Sequence, residues 1–348
     1  DLDPYIKHAN GHRDLVALAM DWRLNANSKL EWEFEQSHRE QIGVNGYSLL
    51  GGQLPPTVDG KKNFTYQPWS QPGVFDALTG SVRFKHNLDN GWLWTTQYGT
   101  QRLKTDDRLS FAFGADNYGI ATNFKSNGDF DLYDWRSEGE KRITEAFQTE
   151  IAGQTELNGF KHDLIFSVMR QRQIDRMPYQ QTNNFVGSSS IDSYLVDTTN
   201  ASTDSPYSSN RNEYATELAV KDKIHLSQTT AIWVGIKHTM FNRNSIKTNG
   251  ESATNDQRSV NTVSLALTQK LDATKMIYAS YGEGIELNVT PNKDGYANAG
   301  AVLPVQKSHQ QEIGMRGFED RSTWQIAWFD ITRPVVADAP FGCYAIAS

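Results

Sequence analysis

Between residues 103 and 142 one polar excursion of the chain carries Phe111, Phe113, Tyr118, Tyr133, Trp135 and Arg136. Ring faces stack on aromatic groups and a guanidinium answers negative charge, so this set suits a bulky, partly aromatic, anionic ligand. The competing reading is that the rings pack the excursion against its neighbours. Tyr47, Trp69, Tyr179 and Tyr207 are weaker candidates of the same kind in other polar stretches. No catalytic constellation, cofactor motif or metal motif stands out. The eight histidines (His8, His12, His38, His86, His162, His225, His238, His309) are scattered, without an H-x-x-x-H spacing. Asn127, Asp129, Asp131 and Asp134 have the composition of a calcium loop, but the glycine and later glutamate of an EF-hand are missing, and turn capping accounts for them. Cys343, the only cysteine, would in an oxidising compartment call for a disulfide partner outside this sequence, with a free thiol as the alternative.

The elements that must carry these groups show a repeating asymmetry. Twelve strand-like segments run in six pairs, joined within each pair by tight turns at Asn25-Ala26-Asn27, Asp89-Asn90-Gly91, Asn158-Gly159, Ser227-Gln228, Asp272-Ala273 and Glu319-Asp320-Arg321. Between the pairs lie long polar stretches at 39–79, 103–142, 175–211, 243–258 and 284–307. Short turns at one end and long loops at the other are the pattern of a transmembrane β-barrel. A net charge of −7 without a Lys/Arg cluster argues against a nucleic-acid surface. Hydrophobic residues make up 38% and mean hydropathy is −0.61, which fits strands apolar on one face only. No run approaches the roughly 18–20 apolar residues of a transmembrane helix.

Period-two alternation assigns the faces. Val16, Leu18, Met20 and Trp22, then Leu30, Trp32 and Phe34, then Trp92, Trp94, Thr96 and Tyr98, begin an uncharged series. Phe147 to Ile151, Leu164 to Val168, Tyr214 to Val220, Thr230 to Ile236, Val263 to Leu267, Ile313, Met315 and Trp324 to Trp328 continue it at every second residue. Residues 275–281 are ambiguous. Asp21, Glu31, Glu33, Glu35, Gln148, Glu150, Glu217, Lys221, Lys237, Gln269, Glu312 and Arg316 are assigned to the opposite side, which suits a wet or plugged lumen. Trp22, Trp32, Trp92, Phe160, Trp233 and Trp324 sit near the short turns at the level of an aromatic girdle. A soluble antiparallel sheet with one solvated face would alternate in the same way but explains neither the loops nor the girdle. If the short turns are periplasmic, the chain begins and ends outside, whereas bacterial barrels of even strand number begin and end inside. The expectation is therefore one partial barrel domain over 1–348, with further strands on both sides.

Four stretches carry a family likeness: MIYASYGEGIE (276–286), YANAG (296–300), LPVQKSHQQEIGMRG (303–317) and WQIAWFDITRP (324–334). GYSLLGGQLP (46–55), YQPWSQP (66–72), KTDDR (104–108) and NGDFDLYDWRSEGEKR (127–142) extend it upstream. Together they resemble the TonB-dependent outer-membrane receptors, within them the ferric-siderophore group. That resemblance implies a 22-stranded antiparallel barrel in the bacterial outer membrane, filled by an amino-terminal plug. It implies import of an iron-siderophore complex with energy from the TonB-ExbB-ExbD complex acting through the plug segment. The plug, the TonB box, the first strands and the last strands with the terminal aromatic are not in this sequence. Haem, a corrinoid or a carbohydrate is the alternative cargo, and a passive porin-like channel the alternative class.

Overall fold

The computed structural model describes residues 5–44, 48–54, 59–114, 123–193, 195–196, 207–290, 296–319, 321–339 and 343–347, with the backbone alone at Asp338, Ala339, Cys343, Tyr344 and Ala347. Twelve strands follow one another in a single antiparallel path: β1 (Gly11–Arg23), β2 (Ser28–Gln41), β3 (Gly73–Asn87), β4 (Leu93–Phe113), β5 (Asp129–Leu157), β6 (Phe160–Arg176), β8 (Ser209–His225), β9 (Thr230–Lys247), β10 (Thr254–Lys270), β11 (Lys275–Glu286), β12 (Gln306–Glu319) and β13 (Ser322–Thr332). The short β7 (Thr182–Ser190) pairs with β5 beside that path, and β14 (Val335–Ala339) and β15 (Cys343–Ala347) form a separate hairpin. This is the all-β, antiparallel barrel wall that the alternation implied. The tight turns lie where turn chemistry put them. At Asn158-Gly159 both residues have positive φ, 53° and 81°, as a two-residue type I′ hairpin requires.

Register fixes which side chains share a face, because directly opposed residues point the same way. Leu18 lies opposite Phe34, Leu30 opposite Phe84, and Val82 opposite Tyr98. Tyr98 meets Phe147, Ile151 meets Phe166, Val168 meets Leu218, and Val220 meets Ile236. Val234 meets Leu265, Leu267 meets Ala279, and Ile313 meets Trp328. A largely apolar surface thus runs from strand to strand around the sheet, with Arg170 opposite Phe147 towards its long-connection margin and Asp222 opposite Leu164 and Val234 towards the short turns. Nothing among the described residues covers it, for Ile236, Leu265 and Ile326 are 52%, 47% and 72% exposed. In water such a surface would drive aggregation, whereas hydrocarbon satisfies it.

Three positions refine the face assignment. The ambiguous stretch places Ile277, Ala279 and Tyr281 on the apolar side, while Tyr278 on the other side donates its hydroxyl proton to Glu312. Gln269, expected inside, is opposite Thr230 and Ile277 on the apolar side, where the nearby turn keeps it out of mid-membrane. Trp233, expected in the girdle, faces the charged side, with the Lys223 ammonium 4.7 Å above its ring. The charged side holds its own pairs, among them Lys29 and Lys85 on Glu31 at 2.9 and 3.0 Å, and Lys237 on Glu217 at 3.3 Å. Girdle rings that do face outward find seats. Trp92 lies over Gly153 and Trp324 over Gly317, where a Cβ would come within 2.6 Å of the Trp324 ring.

Candidate ligand-binding site at the long-connection end

A tilted barrel strand crosses a bilayer in about 9–11 residues. With 21 and 29 residues, β4 and β5 far exceed that, so the stretch 103–142, expected as a loop, is largely a β-ribbon projecting beyond the membrane. The two strands stay paired up to Phe113 and Asp131, with one irregularity between Thr105 and Asp107. β7 adds a third strand to the ribbon on the β5 side.

One face of the ribbon is packed. Leu50, Phe124, Phe130, Leu132 and Val186 form a buried cluster, with Phe64, Trp69, Ala112, Ile191 and Val196 against it. Phe124 and Phe130 have ring centroids 5.0 Å apart, and Phe64 meets Phe130 edge-on at 6.1 Å. Polar ties hold the β2–β3 connection to this core. The Trp69 indole donates to the Val196 carbonyl at 3.0 Å, the Val196 amide donates to Gln67 Oε1 at 2.7 Å, and the Gly51 amide donates to the Phe124 carbonyl at 2.7 Å. Three connections are thereby joined into one body outside the bilayer, so what stands on its other face is held on a rigid support.

That other face carries a ladder of rings. Phe111 stacks on Tyr133 with centroids 5.5 Å apart, Phe113 meets both edge-on at 6.3 Å, and Phe185 from β7 meets Tyr133 at 5.7 Å. Phe113 and Phe185 are exposed, and Trp135, opposite Leu109, follows Tyr133 on the same side. Arg136 points the other way, its Nε 3.1 Å from Oδ2 of the buried Asp134. Burial pushes the Asp134 carboxyl above the usual aspartate range, and the guanidinium beside it works against that shift. Tyr118 lies outside the described residues, as does Tyr47. Trp69 belongs to the packed core, and Tyr179 and Tyr207 pair edge-on at 5.3 Å. Asn127 caps its own turn, accepting the Asp129 amide at 3.1 Å, and Asp131 accepts the Ser188 hydroxyl at 2.8 Å. The Cys343 side chain lies outside the described residues; its backbone is in β15, opposite Ala339.

Sequence reasoning did not find Phe185, an isolated ring in a polar stretch, nor the arginines at the top of the inner wall. There Arg211 pairs with Asp175, Arg243 with Glu213 at 2.8 Å, and Arg258 with Asp256 at 2.9 Å while also donating to the Leu303 carbonyl at 2.7 Å. A cavity of about 340 Å³ opens beside Gln171, Arg211, Tyr214 and Arg243. Their position was readable, since they continue the charged parity of β8, β9 and β10. Their mutual pairing was not.

The family model of the TonB-dependent receptor-like β-barrel matches residues 21–335. The chain belongs to the TonB-dependent receptor family. Its barrel wall is therefore an outer-membrane one, with the apolar face in lipid and the ribbon on the long-connection, extracellular side. No curated protein matches this receptor chain. Among solved structures, BauA, the ferric preacinetobactin receptor of Acinetobacter baumannii, superposes with a TM-score of 0.78 at 16% identity, over 100% of this chain and 51% of that one. Fiu, the ferric-catecholate import receptor of E. coli K12, gives 0.77 at 12% over 98% and 54%. PiuA, a siderophore receptor of Acinetobacter baumannii, gives 0.76 at 14% over 97% and 52%. The receptor chain thus spans about half the length of these structures.

Proposed function

We propose that this chain is barrel wall of a receptor that imports a ferric siderophore, with energy delivered by the TonB-ExbB-ExbD complex through a plug segment outside this sequence. The observation that carries the reading is the ring ladder of Phe111, Phe113, Tyr133 and Phe185, with Phe113 and Phe185 exposed and Phe111 and Tyr133 half-buried, on a ribbon whose reverse face packs on a buried core. Exposed rings at the ladder's edge are suited to the flat, partly aromatic surface of an iron chelate. Family membership, and likeness to structures described as ferric-siderophore receptors, support the same assignment.

Ring stacking is worth about 0.5–1.5 kcal/mol per pair, so removing two ladder rings should weaken binding roughly 5- to 150-fold. The test titrates the purified receptor and its Phe111→Ala/Tyr133→Ala variant with ferric catecholate and hydroxamate chelates, following tryptophan fluorescence. Unchanged affinity in a variant that keeps its heat-modifiable gel mobility would remove the ladder from the site. Tight binding of haem or a corrinoid, with no response to any iron chelate, would replace the cargo.

A further inference from the structure

Spacing along the chain offers no metal motif, but pairing across strands creates one. In the β1–β2 register His12 is opposite Glu40 and Asp14 is opposite His38, and in the β2–β3 register His38 is opposite Asp76. All five therefore share the outer face, one step above Val16 and Gln36, where the apolar band gives way to the extracellular rim. Nδ1 of His12 is 3.9 Å from Glu40 Oε2, and Nε2 of His38 is 3.4 Å from Glu40 Oε1. The imidazole rings have centroids 5.4 Å apart. One ligand atom from each of His12, His38 and Glu40 falls within 4.8 Å of the other two.

We propose that His12, His38 and Glu40 form a binding site for a zinc-class divalent transition-metal ion on the outer wall of the barrel. Zinc bound by nitrogen and oxygen at about 2.0–2.2 Å in a tetrahedron spaces its ligand atoms roughly 3.3–3.5 Å apart, so the His38–Glu40 edge is already at bonding separation. The His12 edge is wider, 3.9 Å to the other Glu40 oxygen with all three ligand atoms inside 4.8 Å, so His12 must move in, which a half-exposed side chain does by rotation. Asp76 gives the second, independent sign. Its Oδ1 lies 2.6 Å from His38 Nδ1, so with the proton on Nδ1 the carboxylate accepts it and leaves the Nε2 lone pair directed at the Glu40 side. A carboxylate behind a ligating histidine is the usual second layer of a zinc site. Asp14, Glu40 and Asp76 face the two imidazoles, while the cations that the register places on this face nearby, Lys104 opposite Asp76, Arg102 beside Lys104 and Lys141 opposite it, stand on β4 and β5, on the far side of Asp76 from the ligands. Two imidazoles among three ligands select against magnesium and calcium, which prefer all-oxygen sets, and the fourth position opens to water. The ion would tie β1 to β2 just above the lipid.

The test is calorimetric titration of the purified receptor in detergent with Zn²⁺, with and without excess Mg²⁺. One Zn²⁺ per chain is expected, indifferent to Mg²⁺, and Co²⁺ in its place should give the visible absorption of a four-coordinate site. His12→Ala and His38→Ala should each weaken Zn²⁺ binding more than tenfold. Asp76→Asn, which leaves all three ligands intact, should weaken it roughly 10- to 100-fold. His238→Ala, on the same face but bonded to Asn261, should change nothing. Heat-modifiable mobility confirms that each variant is folded. The proposal is overturned if the wild type shows no saturable Zn²⁺ binding, or if that binding survives the His12→Ala/His38→Ala double substitution.

Discussion

Placing one arginine on either side of β10 at the same depth tests the assignment of faces directly. Leu265 is 47% exposed, sits between Val263 and Leu267 on the apolar side, and is opposed by Val234 and Tyr281. Its neighbour Ser264 faces the lumen, opposed by Gly235 and Gly282, neither of which has a side chain to collide with a larger residue. In a bilayer, Leu265→Arg should cost about 2–4 kcal/mol, the penalty for a cation near the midplane of a barrel's lipid face. Ser264→Arg, one residue away and pointing into a polar interior, should stay within about 0.5–1 kcal/mol of wild type. The gap of about 1–3.5 kcal/mol is roughly a 5- to 400-fold difference in the unfolding equilibrium, within reach of measurement. Urea unfolding of the receptor in phosphatidylcholine vesicles, followed by tryptophan fluorescence, reads it, and Leu265→Ala separates lost contacts from the cost of charge. Equal penalties for the two arginines, or a larger one for Ser264→Arg, would refute the reading that hydrocarbon faces the Leu265 side.

Gly317→Ala places a methyl group within 2.6 Å of the Trp324 ring, and overpacking of that kind costs about 1–3 kcal/mol. Because the harm passes through Trp324, adding Trp324→Ala should cost less in the Gly317→Ala background than in wild type, a non-additivity that a double-mutant cycle measures. At the β10–β11 turn, Asp272 Oδ1 accepts the amides of Thr274 and Lys275 at 2.7 and 2.8 Å, which holds its carboxyl below the usual aspartate range. A depressed carboxyl contributes stability that is present above its unfolded pKa and lost as pH falls through the folded one. The acid limb of unfolding should therefore flatten in Asp272→Asn, and an acid limb identical to that of wild type would count against the turn geometry.

The legible part of this fold was the part governed by period two. A lipid-facing strand must alternate, so Val16 to Trp22, Leu164 to Val168 and Thr230 to Ile236 announced their faces without any knowledge of their neighbours. Residues 275–281 did not, because Met276 and Tyr278 on the inner side are as apolar as Ile277 and Ala279 on the outer. Only the register with Leu267 and Ile313 separates them. Trp233 failed as a girdle residue for a related reason. An indole near a turn can set its ring at the headgroup level or place its π face beneath an ammonium, and the choice rests on Lys223, a partner on another strand.

The extramembrane body was hidden for a different physical reason. Membrane strands announce themselves because lipid permits one kind of side chain, while a ribbon in water is stabilised by whatever packs on it, and that comes from far along the chain. Phe130 and Leu132 read as loop residues until Leu50 and Phe64 from the β2–β3 connection and Val186 from β7 cover them. The ladder residues Phe111, Phe113 and Tyr133 stood out individually, yet their common face, and the opposite orientation of Arg136, follow from strand pairing that the polar composition of 103–142 concealed. The same holds for His12, His38 and Glu40, separated by up to 28 positions and adjacent only through the β1–β2 hairpin. What a barrel wall does in the membrane is therefore written locally, residue by residue. What it recognises outside is written in pairings, so variants that shift the register between β4 and β5 by one residue only beyond the Thr105/Asp107 irregularity should lose the ladder while leaving the lipid face intact.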